Sequence, residues 1–345
     1  MEHIGIDVHK RESQICILTP EGEMIERRIQ STRETLTAMF RDRPPARVLL
    51  EATTESEWVA QTIEALGHEV IVADPNYAPM YPERRRRVKT DRRDARMLAE
   101  AARVGSFRPA HRMSAEQRQV RRQLLVRDLL VRARGRTIAL ARTLVRSEGL
   151  RVRAGDADQF GRYVSALELP NALQAAIQPL LALWAQLTEQ LADADAQLVA
   201  TAAANPVVQR LMTAPGVGPV IATAFVATLD EAARFGGAHQ VESYLGLVPS
   251  EDSSADRHRR GHITKAGNPR MRWLLVQAAW AALRSRRADA AGLRAWAAQL
   301  AKRRGRRIAT VALARRLAGI LFAMWRDQTT FHGAHGPAAR LARAR

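Results

Sequence analysis

The chain has 345 residues, 46% of them apolar, which is enough for two or more domains with real cores. Its 54 Lys and Arg against 35 Asp and Glu leave a formal net charge of +19, a surplus that points to a polyanionic partner. One cysteine, Cys16, excludes an internal disulfide framework; the opening "MEHIGIDVHK" lacks a signal-peptide core, and no run of 18 apolar residues suggests a membrane span, so a soluble cytoplasmic protein is expected.

The first hundred residues alternate between strand and helix patterns. "HIGIDV" (3–8), "SQICILT" (13–19) and "MIERRIQ" (24–30) read as strands, with "PEGE" (20–23) as a turn. Cys16 alternates with Ile15 and Ile17 and is expected as a core thiol. "TRETLTAMFRD" (32–42) reads as a helix capped by Ser31, "ARVLLEA" (46–52) as a strand, "EWVAQTIEALG" (57–67) as a helix stopped by Gly67, and "HEVIVAD" (68–74) as a strand. Three strands, helix, strand, helix, strand is the order of a ribonuclease-H-like α/β domain, expected over 1–109.

Beyond "GSFRP" (105–109) the pattern is helical. Residues 112–153 carry twelve arginines against Glu116, Asp128 and Glu148, whereas 170–205 hold no Lys or Arg. The second stretch has a heptad seam of Leu173, Ile177, Leu180, Trp184, Leu187, Leu191, Ala194 and Leu198, which suggests a coiled coil, within the chain or between chains, across a region spanning 110–205. A helix packed inside its own domain is the alternative. A third, mainly helical region is expected over 206–330, with fifteen Lys or Arg and one acid, Asp289, between 257 and 307. In its helix from 267, Trp273, Leu274, Val276 and Trp280 read as the core face. Residues 331–345 read as a flexible basic tail.

Four carboxylates stand out. Asp7 and Glu51 each end a strand, and those two strands are neighbours in a ribonuclease-H-like sheet. Asp91 and Asp94 are spaced i, i+3 and share a helix face. Together such carboxylates suit Mg²⁺ or Mn²⁺, and a paired-ion site can clamp both oxygens of a phosphodiester exchange. Singly, each has an ordinary explanation: a strand-end turn, a solvated acid, or an N-cap and third-position pair at a helix start. "LMTAPGVGPVIATAFVATL" (211–229) reads as a helix-hairpin-helix-like turn in which Gly216 and Gly218 allow backbone amides to approach a phosphate; a tight interhelical turn is the alternative. Ser253 and Ser254 precede a basic run of Arg257, Arg259, Arg260 and Lys265, followed by Arg270 and Arg272. The serines fit either turn chemistry or a nucleophile beside phosphate-binding cations.

"GIDVHK", "LLEAT", "VKTDRRDARMLA", "PGVGPVIA", "YLGLVPSEDSS" and "RRGHITKAGNPRMRWLLVQAAW", in that order, resemble the DEDD-type insertion-sequence transposases, also described as bridge-RNA-guided serine recombinases. The resemblance covers about residues 3 to 325. It implies a resolvase-like N-terminal domain, a coiled-coil linker and a C-terminal transposase domain. It implies a metal-binding tetrad of Asp7, Glu51, Asp91 and Asp94, and a serine nucleophile at Ser254, with Ala255 where the family usually has glycine. It further implies donor and target DNA, a structured guide RNA, and a homo-oligomer in which one subunit's carboxylates meet another's serine. Two other readings fit the residues: a metal-dependent structure-specific nuclease that activates water, and a non-catalytic nucleic-acid-binding protein.

Overall fold

A computed structural model describes residues 1–77, 80, 90–254 and 257–333, with 252–254 and 257–260 traced by their backbone alone. Ala255, and residues 334–345 of the expected tail, lie outside the described residues. The chain divides into two compact units, Met1–Met113 and Ser114–Arg345.

The first unit is built on strands β1 (His3–Val8), β2 (Glu12–Leu18), β3 (Met24–Gln30), β4 (Arg47–Glu51) and β5 (Glu69–Ala73), in the order β3-β2-β1-β4-β5. β1, β2 and β3 form an antiparallel meander, while β4 joins β1 and β5 joins β4 in parallel. Side-chain alternation divides the sheet between two helical layers. Ile4, Ile6, Ile15, Ile17, Val48 and Leu50 pack with Leu36 and Phe40 of α1 (Arg33–Phe40) and with Val59 and Ile63 of α2 (Ser56–Glu64). On the other face, Cys16 and Leu18 meet Ala95 and Ala99 of α3 (Asp91–Val104), and Leu49 meets Leu98. Cys16 is the core thiol the alternation predicts, and burial pushes its pKa up to about 11.

The approach of α3 to the sheet is set by Gly5. A Cβ there would lie 2.1 Å from the Ala95 carbonyl oxygen and 2.2 Å from the Ala99 amide nitrogen, so only glycine lets the helix backbone rest on β1. One boundary differs from expectation. Thr32, not Ser31, caps α1 by accepting from the Thr35 amide. The Ser31 hydroxyl is used across the meander instead, donating to the His9 carbonyl at 2.7 Å and lying 2.8 Å from the Ser13 hydroxyl.

The second unit begins with α4 (Ala115–Ser147), capped by Ser114, whose amide and hydroxyl both donate to the Asp230 carboxylate. After the short α5 (Phe160–Ser165) the chain returns as α6 (Asn171–Ala204). Arg127 pairs with Asp195, and Ile138 clusters with Leu173 and Ile177, so α4 and α6 run antiparallel. Every residue of the predicted heptad seam is buried or half-buried, and the partner helix along it is α4 of the same chain.

The remaining helices are α7 (Pro206–Leu211), α8 (Pro219–Leu229), α9 (Ala238–Tyr244), α10 (Pro269–Arg284), α11 (Ala291–Arg304) and α12 (Arg306–Arg326), which enclose a core including Phe225, Leu245, Leu275, Leu313 and Phe322. By length and composition α12 is apolar enough to cross a membrane; ten of its residues, among them Leu313, Leu317, Leu321 and Phe322, are buried in this helical core. The core face of α10 is Met271, Leu274, Leu275, Ala278, Ala279 and Ala282. Of the expected core residues there, Trp273 is instead exposed, lying under the Arg270 guanidinium at 4.2 Å. Val276 and Trp280 are half-buried.

The stretch around the serines is an antiparallel hairpin of β6 (Pro249–Ser254) and β7 (Arg257–Ile263), not a simple loop. Its root is clamped by backbone contact. A Cβ on Gly246 would lie 2.0 Å from the Ala266 oxygen, and one on Gly267 would lie 2.0 Å from the Tyr244 oxygen.

Gly5→Ala forces α3 away from β1 and is expected to destabilise the protein by about 1–3 kcal/mol, the usual cost of overpacking. Denaturant titration against the unaltered chain measures it; an unchanged midpoint would show that the helix contact is not tight.

Candidate active site

The alternation that builds the sheet also aims the first two carboxylates. Gly5 faces α3, so Asp7, two residues on, faces the same side. The register pairs Gly5 with Leu49 and Ile6 with Leu50, which brings Glu51 beside Asp7 at the ends of adjacent parallel strands. From Gly5 to Asp7 is two strand residues, roughly 6.6 Å. From Ala95 back to Asp91 is about one helical turn, roughly 5.4–6 Å. Because Ala95 rests on Gly5, the first turn of α3 is delivered next to Asp7.

That turn begins at a Thr90 cap that accepts from the Arg93 amide. Asp91 is therefore the first helical residue and Asp94 the fourth, so the two are not the cap and third-position pair that would explain them as helix-start chemistry. Asp7 is 8% exposed and its pKa is raised. Burial is the largest cause, and the charges of Asp94, Asp91 and Glu51 add to it, while His9 opposes them. The four carboxylates are thus electrostatically one group. An acidic group of this kind, gathered around a desolvated member, fits a hard divalent cation that supplies the missing positive charge.

The structure adds a member absent from the sequence-based set. His9 places Nε2 3.2 Å from Asp7 Oδ2 and 3.4 Å from Asp91 Oδ1. Among the described residues, Asp7, His9 and Asp91 have ligand atoms all within 4.8 Å of one another. The one available signal was its position two residues after Asp7, on the same side of an extended chain.

In the second unit, Ser254 pairs with Arg257 and Ser253 with His258, so Ser254 is the last paired residue before the hairpin connection. By register, positions 252, 254, 257 and 259 fall on one face of the ribbon and 251, 253, 258 and 260 on the other. The cations near its root have definite duties. Arg272 Nη1 donates to the carbonyls of Leu245, Ala266 and Gly267, locking the clamp. Lys265 has left-handed backbone, φ 57°, donates its amide to Gly246 O, and leaves its side chain exposed. Arg270 pairs with the buried Asp128 of α4.

The turn at 212–218 is also tied to packing. Gly216 has φ 80°, and a Cβ there would lie 2.3 Å from the Ala278 oxygen of α10. Gly218 faces open space, but Pro219 has no amide and the Ile221 amide donates back to Gly218 O, leaving the Val220 amide in the first turn of α8 for an outside acceptor.

Comparison with known families gives these features a common origin. Residues 4–147 match the transposase family model for DEDD enzymes of the IS110 type, and residues 208–293 match the model described as "Transposase IS116/IS110/IS902 family". A "Probable family 20 transposase" of Pseudomonas aeruginosa is 30% identical over 344 residues, covering 96% of this chain and 98% of its own length. The "Transposase for insertion sequence element IS1111A" of Coxiella burnetii is 30% identical over 338 residues, covering 95% of this chain and 90% of its own. That of IS1328 from Yersinia enterocolitica is 26% identical over 95% of this chain and 98% of its own. The carboxylate-bearing unit and the helical unit are therefore those of a DNA transposase. The chain belongs to the IS110/IS116 transposase family.

Asp7→Asn is expected to stabilise the metal-free protein by about 0.5–2 kcal/mol while weakening cation binding, as is common where function holds like charges together. The sign follows from linkage. A carboxyl whose folded pKa is raised makes the folded state bind more protons, so stability falls as pH rises from 3.8 through the raised value. Asp7→Asn removes that fall, which thermal melts at pH 4 and pH 7 in chelator would read.

Proposed function

We propose that this transposase cuts and rejoins DNA to move an insertion sequence, using Mg²⁺ or Mn²⁺ held by Asp7, Glu51, Asp91 and Asp94, and Ser254 as nucleophile. The observation that carries the metal half is the buried Asp7, 8% exposed, whose proton affinity is raised first by that burial and further by the charges of Asp94, Asp91 and Glu51 beside it. The strand order β3-β2-β1-β4-β5, with its antiparallel meander and two parallel joins, supports a ribonuclease-H-like reading of the first unit. Bound there, the cation would polarise a phosphodiester oxygen and neutralise negative charge on the phosphoryl and leaving-group oxygens.

The chain's own groups then have distinct tasks. Ser254 Oγ forms a bond to phosphorus and gives up its proton. The bond from phosphorus to the leaving strand breaks, and that strand's oxygen takes a proton to become a free hydroxyl. The phosphoserine ester conserves the bond for rejoining. Ser254 is favoured over Ser253 because it ends the paired strand and shares the ribbon face of positions 257 and 259, both arginine. Arg257, Arg259, Arg260 and Lys265 would hold phosphates, while Arg270 and Arg272 support the surrounding backbone and helix. Gly216 and Gly218 shape the turn, with the Val220 amide as its phosphate donor.

Guidance by an RNA from the same element, pairing with donor and target DNA, and action as a homo-oligomer are proposed from the family resemblance. The net charge of +19 is in keeping with more than one nucleic-acid strand.

Ser254→Ala is expected to bind DNA but form no SDS-resistant protein–DNA adduct, whereas Ser253→Ala retains the adduct. Asp94→Ala is expected to lower strand cleavage by about 10²-fold or more. Undiminished nicking by Ser254→Ala would favour a nuclease that uses water, and full activity of Asp94→Ala would remove the metal mechanism.

A further inference from the structure

We infer that His9 is a direct nitrogen ligand of the metal centre and sets its preference among divalent ions. The inference rests on the carboxylate-metal site proposed above and adds to it a donor of another chemical kind. His9 Nε2 lies 3.2 Å from Asp7 Oδ2 and 3.4 Å from Asp91 Oδ1. Charge-assisted N–H···O bonds are shorter, about 2.7–2.9 Å. Two adjacent donors each about 2.1 Å from one octahedral ion are instead about 3.0 Å apart. At about 2.0 Å from a tetrahedral ion they are about 3.3 Å apart. The two histidine–carboxylate spacings thus lie close to those of adjacent ligands on one cation, and all three ligand atoms fall within 4.8 Å of one another.

The backbone that carries the imidazole is also held in place from behind. The Ser31 hydroxyl donates to the His9 carbonyl at 2.7 Å, and the Ser31 amide donates to the Arg11 carbonyl at 2.9 Å. The Ser31 hydroxyl has one proton, so the 2.8 Å contact from Ser13 must be a donation by Ser13. These bonds pin residues 9–11 to the end of β3 and fix where the ring leaves the backbone. Its side chain is 52% exposed and, with Asp91, lines a cavity of about 430 Å³ that also includes Lys10, Arg11 and Arg28. Glu12, which pairs with Arg28, and the polar Ser13 and Gln14 complete the lining, so a cation bound by this set would meet open space with Lys10 and Arg11 at its edge.

The chemical consequence is selectivity. Mg²⁺ takes oxygen donors, whereas first-row transition ions gain from an imidazole nitrogen, Mn²⁺ the least of them, so one nitrogen should shift the ranking toward Mn²⁺ relative to a site of oxygens alone. His9 would then decide the ranking while the carboxylates supply most of the charge.

The test loads the full chain with Mn²⁺ and records electron spin-echo modulation. One coordinated ¹⁴N is expected in the unaltered protein and none in His9→Ala, which still binds Mn²⁺ through the carboxylates about 10–100-fold more weakly. Competition titration should show the Mn²⁺-over-Mg²⁺ preference shrinking in His9→Ala and in His9→Gln. The second variant keeps much of the side-chain bulk, and circular dichroism checks that both fold. Mn²⁺ bound with no nitrogen coupling, or coupling that persists in His9→Ala, overturns the inference and leaves the carboxylate site standing. Failure of the unaltered chain to bind Mn²⁺ at all overturns both.

Discussion

Backbone contact at Gly5 is the constraint on which the carboxylate centre depends. Most helices pack on sheets through side chains, which leaves a layer of about 10 Å in which a helix can tilt or slide. Here α3 rests with Ala95 and Ala99 directly on a strand residue that has no side chain. That fixes both the height of the helix and its position along β1. The first turn of α3 and the end of β1 then arrive together by the near equality of one helical turn and two strand residues. The charges follow from the packing: Asp7 is desolvated under the helix, and Asp91 and Asp94 lie near it because the helix has no freedom to place them elsewhere.

The hairpin in the second unit solves a similar problem by another route. Its strands lack the apolar alternation that anchors a sheet face, so its position is set at the root. Gly246 and Gly267 allow backbone-to-backbone approach, and one guanidinium group gathers three carbonyls that would otherwise need other donors. In both units a precise local geometry is obtained from glycine contacts, and the polar residues ride on it.

Much of this was legible in the sequence, for identifiable reasons. The strands bearing Asp7 and Glu51 announce themselves because both sheet faces are covered and their apolar residues are dense. The i, i+3 spacing of Asp91 and Asp94 holds on any helix. His9 was not legible, since a lone histidine at a strand end carries no period and its second partner, Asp91, comes from 82 residues further along. The packing of Gly216 on Ala278 was not legible either, since the turn pattern says nothing of the helix it rests on. Trp273 looks apolar until Arg270 covers its ring, and Ser31 and Thr32 are equivalent as caps until one is taken by His9. The hairpin was invisible because its strands are specified by the clamp beneath them and not by their own composition.

The antiparallel pair α4 and α6 has a further consequence. Arg121, Arg122, Arg132, Arg136 and Arg146 are exposed on α4, while α6 presents no cation anywhere along its length and exposes Glu189 and Asp193. Two helices in continuous contact therefore differ in electrostatic sign across the width of a single pair. The boundary between them is a step in surface charge, running along the seam where the two helices pack.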